Sequence, residues 1–244
     1  MLEWLFRPQC AACGAAIGPG APLCGACAAS LLELGPACPR CAEPTGPRAL
    51  VCGRCAAAPP PLARIAAPWV FGGQLAAAIR RLKFAGRAHV ARDLAPLWAP
   101  LVAAAAEEAA TAAAEAAARA GAGAAVVVPV PLHWRRRLAR GYDQTWLLAR
   151  HACAAAGLSP PVPALRRTRA APPQSTLPAA ARQANLRGAF AVRKPDAIAG
   201  RGVILVDDVV TTGATLAAAA RPLHAAGAVC VIGVALARAT SAPG

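Results

Sequence analysis

The chain has 244 residues and a formal net charge of +15, room for one large domain or for a medium domain beside a small one. Its basic residues are nearly all arginine, with Lys83 and Lys194 the only lysines. Alongside the Ala, Gly and Pro excess, that reads as coding bias rather than as a surface selected for nucleic acid.

The opening MLEWLFRPQC carries an acid and an arginine and lacks the apolar core of a secretory signal. The alanine-rich run from Val102 to Ala125 is broken by Glu107, Glu108, Glu115 and Arg119, so no membrane insertion and a cytoplasmic location are expected. Residues 1–58 are organised by cysteine. Four C-x-x-C pairs, Cys10/Cys13, Cys24/Cys27, Cys38/Cys41 and Cys52/Cys55, recur every fourteen residues. A disulfide framework does not suit a cytoplasmic chain, whereas two such pairs complete a closed tetrahedral site of four thiolates. Two structural Zn²⁺ ions are expected, which lowers the formal charge to about +11. Identical gaps leave the pairing open by spacing alone, but joining first with second and third with fourth closes the shortest loops. Such ribbons more often dock or stabilise than bind nucleic acid, and only Trp4 and Phe6 supply rings here for base stacking.

Residues 59–68, rich in proline, read as a linker, and 69–244 as the second domain. From Gln74 the apolar spacing predicts a helix burying Leu75, Ile79, Leu82 and Phe84. A second helix is expected from Val102 to Arg119, ended by Gly121 and Gly123. AVVVPVP (125–131) is a buried strand stopped by proline, and RGYDQTWLLARHACAAAG (140–157) a helix closed by Gly157. Residues 159–190 carry Pro, Arg and Gln without a period and read as a long functional loop. GVILVDD (202–208) is a strand, TTGATLAAAARPLHAAG a helix, and AVCVIGVALAR a strand. Strands alternating with helices give an α/β fold around a parallel sheet. Cys153 and Cys230 fall in apolar segments and are expected to be buried.

The stretch VILVDDVVTTGATL (203–216) places two carboxylates between a buried strand and a helix start. The free N–H groups of that first turn face an anion, Gly213 permits close approach, and Thr211, Thr212 and Thr215 add hydroxyls. Asp207 and Asp208 would repel a phosphate; they suit vicinal hydroxyls and a divalent cation. A ribose 5′-phosphate satisfies both halves.

These residues resemble the phosphoribosyl pyrophosphate (PRPP) signature of type I phosphoribosyltransferases. Together with the cysteine-rich start, LKF (82–84), VPVPLHWRRRLARGYDQ (128–144) and RTRAAPPQ…R…NLRGAF (167–190), they resemble the ComF family. That family joins a double zinc ribbon to a phosphoribosyltransferase-like domain and is named for competence for DNA uptake. The resemblance implies PRPP, or a related phosphorylated ribose, bound with Mg²⁺. Asp207 and Asp208 would contact the ribose hydroxyls, while Val209, Val210, Thr211, Thr212, Gly213, Ala214 and Thr215 wrap the phosphate. The turn at Pro129, Val130, Pro131 and Leu132 resembles the pyrophosphate loop, with Arg135, Arg136, Arg137 and Arg140 behind it as bidentate phosphate donors. Arg140 and Arg169 are the candidate catalytic residues, Arg169 and Arg182 lying on the loop that would close over the ligand. Two departures stand out. RGYDQ replaces the family's usual RGFNQ, making residue 143 an acid, and Thr211 stands where purine-salvage enzymes carry an aspartate base, which argues against that chemistry. Transfer of phosphoribosyl to an acceptor, or a non-catalytic PRPP sensor, fits the intact signature better than a nucleic-acid module with a vestigial site. Single-stranded DNA or competence proteins are the macromolecular partners the resemblance implies.

Overall fold

The structure is a computed structural model and describes residues 8–46, 51–84, 86–117, 125–168, 186 and 188–240. Its centre is a parallel sheet in the order β1-β7-β6-β3, formed by β1 (Arg64–Ala66), β3 (Ala125–Pro129), β6 (Gly202–Val210) and β7 (Cys230–Arg238). β2 (Trp69–Val70) continues along the same side of β7 as β1. The side-chain alternation of a strand divides the core in two. Val127, Ile204, Val206, Ile232 and Val234 face one cluster, and Val126, Val128, Val203, Leu205 and Val231 face the other.

The first cluster is covered by α3 (Gly73–Phe84), α4 (Val90–Leu94), α5 (Ala99–Ala117) and α7 (Gln144–Ala155). The second is covered by α8 (Ala214–Ala225) and by a small antiparallel pair, β4 (Leu165–Arg167) with β5 (Phe190–Val192). α5 lies so close to β6 that a Cβ on Gly202 would come within 2.1 Å of the Ala109 carbonyl oxygen. Helices thus pack on both faces of a parallel sheet, and no described helix is long and apolar enough to cross a membrane.

Several expectations change. The proline-rich stretch 59–68 is no free linker, because Arg64–Ala66 within it is an edge strand with Ile65 buried. Phe84 leaves the predicted stripe: Leu75, Ile79 and Leu82 are buried, but Phe84, the last residue of α3, is 75 % exposed. The stretch 140–157 is not one helix. Arg140 ends the short α6 (Trp134–Arg140), Gly141 turns left-handed at φ 79°, and Asp143 caps α7. The expected loop 159–190 contributes β4. Cys153 is buried, while Cys230 is only partly so. The α5 terminators Gly121 and Gly123 lie outside the described residues.

The cysteine module, with its short helices α1 (Gly25–Ala29) and α2 (Gly53–Ala57), packs onto the sheet edge. Cys10 and Cys27 belong to the first core cluster, and Cys38, Cys41 and Cys55 to the second. Ile65 N–H donates to the Arg40 carbonyl (3.0 Å), Leu34 N–H to that of Pro68 (3.0 Å) and Val70 N–H to that of Leu32 (2.8 Å). The module therefore occupies the edge that β1 and β2 would otherwise expose. Arg238, fully buried at the end of β7, donates to the Cys41 carbonyl and to the Glu43 carboxylate. Arg81 of α3 donates to the Ala12 carbonyl (3.0 Å).

Candidate functional site

The eight N-terminal thiols form two clusters, Cys10/Cys13/Cys24/Cys27 and Cys38/Cys41/Cys52/Cys55, with sulfurs within 4.8 Å of one another in each. This is the sequential pairing that loop closure favours. A tetrahedral zinc with bonds of about 2.3 Å sets its sulfurs about 3.8 Å apart; Cys13 and Cys24 lie at 3.8 Å, and Cys41 and Cys52 at 3.6 Å. Burial raises the Cys10 thiol, yet the N–H groups of Cys13, Cys24 and Ala12 outweigh it and bring it down to about 6. Cys38 behaves alike, lowered to about 6 against burial by N–H donors from Cys52, Arg40 and Cys41. Both clusters fit structural zinc, and four protein ligands each leave no open coordination position.

The carboxyl ends of β3, β6 and β7 open into a cleft of about 320 Å³. Its position follows from strand length. β3 stops at Pro129 opposite Val206, so Asp207 to Val210 extend past their neighbour on that side. Gly213 ends the following turn at φ 78° and is the N-cap of α8; a Cβ there would also meet Ile65 Cδ1 at 2.9 Å. Glycine is thus required twice over. Thr212 Oγ1 accepts the Ala214 N–H (3.3 Å), and the next N–H groups of this first turn have no intrahelical acceptor. Asp207, Asp208, Val209, Val210, Thr211, Gly213 and Thr215 line the cleft, as do Val130 and Arg140. Of the other predicted residues, Thr212 and Ala214 border the space toward the second ribbon, and Pro129 lines a neighbouring groove. Arg169 and Arg182 lie outside the described residues.

The two aspartates differ. Asp208 is buried, and both its oxygens are engaged: Lys83 Nζ lies 2.9 Å from Oδ1 and 2.8 Å from Oδ2, and Gln144 Nε2 donates to Oδ2 at 3.1 Å. Gln144 in turn accepts from Arg140 (2.6 Å), whose guanidinium lies 5.1 Å from the centre of the Phe84 ring. Lys83, Asp208, Gln144 and Arg140 form one chain of charge-assisted hydrogen bonds, and Phe84 is exposed because it is the platform at its end. Asp207 has a different environment. It is partly exposed to the cleft and accepts the Asp208 N–H (2.8 Å). Burial, then the Asp208 charge, raise its pKa to about 7, although Lys83 and Arg167 pull the other way. Asp207 is the open carboxylate of the pair, and Asp208 the anchoring one.

Around them the charge is positive. Arg136, Arg140, Arg167 and Lys83 line the cleft. Burial and the charges of Arg167, Arg135 and Arg136 lower the pKa of His133, the N-cap of α6. The turn after β3 has few free donors. Val130 N–H bonds the Val206 carbonyl (2.8 Å), Pro131 has no N–H, and Leu132 N–H bonds Asp143 Oδ2 (3.1 Å). Anion contact at this end of the cleft therefore falls to side chains. Asp143 Oδ1 accepts the Thr145 and Trp146 N–H groups (3.0 and 3.1 Å). The acid at this position is a helix cap and a loop tie, which explains how it replaces an amide. Tyr142 uses its hydroxyl to hold the Leu82 carbonyl.

In the sequence, Lys83 falls in a segment that could cover the mouth of the pocket and Gln144 closes RGYDQ, but neither is a predicted partner of Asp208. Their signal was the basic and amide residues inside two motifs lying 61 positions apart, and only the fold brings both to Asp208.

Comparison with known proteins agrees with this layout. A family model described as "Double zinc ribbon domain" matches residues 1–56, and one described as "Phosphoribosyl transferase domain" matches residues 155–243. The chain is 33 % identical over 173 residues to the "DNA utilization protein YhgH" of Escherichia coli K12, covering 71 % of each chain. Proteins of the same description from Shigella flexneri and Salmonella typhi are each 32 % identical over 173 residues, again covering 71 % of each chain. With a double zinc ribbon, a phosphoribosyl transferase domain and relatives of this extent, the chain belongs to the ComF family of phosphoribosyltransferase-like proteins.

Proposed function

We propose that the cleft binds PRPP with Mg²⁺ and that the protein transfers phosphoribosyl to an acceptor in a cytoplasmic process linked to DNA uptake. One observation carries the reading. An open carboxylate, Asp207, stands where β6 outruns β3 and shares a cleft with the glycine-capped helix N-terminus that follows the strand, the other end of the cleft being cationic. The α8 N-terminus with Thr211 and Thr215 would take the 5′-phosphate, and Asp207 the ribose hydroxyls. Arg140, Lys83 and Arg136 would meet the pyrophosphate. Mg²⁺ binds hard oxygen ligands, keeps several waters and favours phosphate partners, so a single open carboxylate beside a pyrophosphate suits it. When bound it would neutralise charge on the departing pyrophosphate. The chain's own contribution is then orientation and fixed positive charge against the leaving group.

The DNA link is supported by the description of the relatives as DNA utilization proteins. A PRPP sensor without turnover is the second reading. It is favoured by the Lys83 ion pair, which already occupies Asp208 and would have to loosen for both acids to serve a ligand. Pyrophosphate release from Mg²⁺-PRPP separates the two. Binding with release on adding nucleobases or nucleosides supports transfer, and binding without release for any acceptor supports the sensor. No binding by calorimetry at millimolar PRPP would remove both.

A further inference from the structure

Beside the cleft, sharing Pro131, Leu132 and Arg167 with it, lies a second concavity of about 600 Å³. No role has been assigned to it. Its walls carry two tryptophans, Trp134 and Trp146, and the exposed arginines Arg137, Arg166 and Arg193. Trp134 is 58 % exposed, and Leu138, one turn further along α6, is 78 % exposed. Two large apolar side chains in water on one turn of a seven-residue helix are a costly arrangement for a helix that only packs. None of the three arginines takes part in an ion pair among the described residues. The one acid of the groove, Asp143, is engaged by three backbone N–H groups and lies in the field of Arg137, which leaves Arg166 and Arg193 facing no acid of the groove. Arg135 already lies 5.3 Å from the Trp134 ring centre, a stack that presents an aromatic face and a positive charge together.

We propose that this groove on the transferase domain, rather than the zinc ribbons, is a binding surface for single-stranded nucleic acid. Bases would stack on Trp134 and Trp146, and Arg137, Arg166 and Arg193 would hold the phosphates. Aromatic faces interleaved with guanidinium groups in a positive groove are the chemistry that unpaired bases and their backbone require. The ribbons offer less. Their thiol clusters carry net negative charge when metal-loaded, and they are occupied with the sheet edge. A bilayer surface would need a convex face, whereas this one is concave. An acidic peptide would match the charge but leaves the two tryptophans of the groove without a reason. The inference extends the DNA-linked half of the proposed function and stands independently of PRPP binding.

The test uses the full-length, zinc-loaded protein and a fluorescein-labelled oligothymidylate of about 20 nucleotides, followed by anisotropy across a salt series. Arg166→Gln with Arg193→Gln should weaken binding tenfold or more and flatten the salt slope by about 1. Trp134→Ala should weaken it by a further fivefold or more, Trp134→Phe should restore most of the loss, and duplex DNA should compete poorly. Zinc content and Mg²⁺-PRPP calorimetry on each variant serve as controls. If zinc is lost in Trp134→Ala, the arginine pair and Trp134→Phe decide alone. Several results would overturn the inference: no binding by the parent protein, affinities unchanged in the arginine pair, or duplex competing equally. So would capture by phosphatidylserine vesicles without capture of the oligonucleotide. Loss of PRPP binding with the oligonucleotide pattern intact would reject the cleft assignment and leave the groove standing.

Discussion

Asp207→Asn should stabilise the ligand-free protein, because the charge it removes is one that the unliganded fold disfavours. Burial and the neighbouring Asp208 carboxylate raise the pKa of Asp207 from 3.8 to about 7. Fully expressed, that displacement corresponds to roughly 4 kcal/mol. Exposure of the side chain to the cleft reduces it, leaving on the order of 2–3 kcal/mol. The hydrogen bond from the Asp208 N–H survives, since the asparagine amide oxygen takes the place of Oδ1. The sign follows from a folded-state value raised above the unfolded one. Below about pH 4 the acid is protonated in both states and carries no penalty. Between about pH 4 and 7 the folded state binds the proton more tightly, so parent stability falls as pH rises, and above about pH 7 the penalty is complete. Urea unfolding of parent and variant from pH 5 to 8.5 measures the difference. It should widen through this window, reach a plateau near pH 7.5 and favour the variant. A variant no more stable than the parent at pH 8, or a difference independent of pH, would refute the reasoning. Asp208→Asn should do the opposite, because it strips the partner from Lys83.

Further outcomes are expected. If Mg²⁺ and PRPP are met by Asp207, binding should release a proton near neutrality, so apparent affinity should rise from pH 6 to 8, and calorimetric enthalpies should vary with buffer ionisation heat. Asp143→Ala should cost about 1–2 kcal/mol through loss of the α7 cap, and further stability through the freed Leu132 N–H, while Asp143→Asn should retain the cap, as measured by denaturant midpoints. Elemental analysis should find two zinc ions per chain. Because both ribbons share core clusters with the sheet, chelation or Cys52→Ser should lower the melting temperature of the whole chain in one transition. A separate ribbon transition would contradict that packing.

The parts of the fold legible in the sequence were those whose signal is local. The β6 strand, its glycine turn and α8 follow from an apolar run, one left-handed position and a helix start within a dozen residues. The cysteine pairing follows because short loops are the cheapest to close. What escaped is tertiary. Arg64–Ala66 has one large apolar side chain between prolines and alanines, too little for a period-2 signal, and becomes a strand because β7 offers an edge. Phe84 sits at core spacing, but α3 ends there and Arg140 comes to lie over its ring. Lys83 and Asp208 are 125 positions apart, and no window of sequence relates them. Of the site residues named from resemblance, those of β6 with Thr211, Gly213 and Thr215 line one cleft, whereas Thr212 and Ala214 turn toward the second ribbon and Pro129 contributes through the strand it ends rather than through a donor.

The proposed binding of PRPP with Mg²⁺ at Asp207, beside the anchoring Asp208, is read by isothermal calorimetry. The titration compares the parent protein with Asp207→Asn/Asp208→Asn, after zinc content and circular dichroism show both to be folded. Saturable, Mg²⁺-dependent binding to the parent and none to the double variant is the expected outcome. Equal affinity for the two proteins would contradict it.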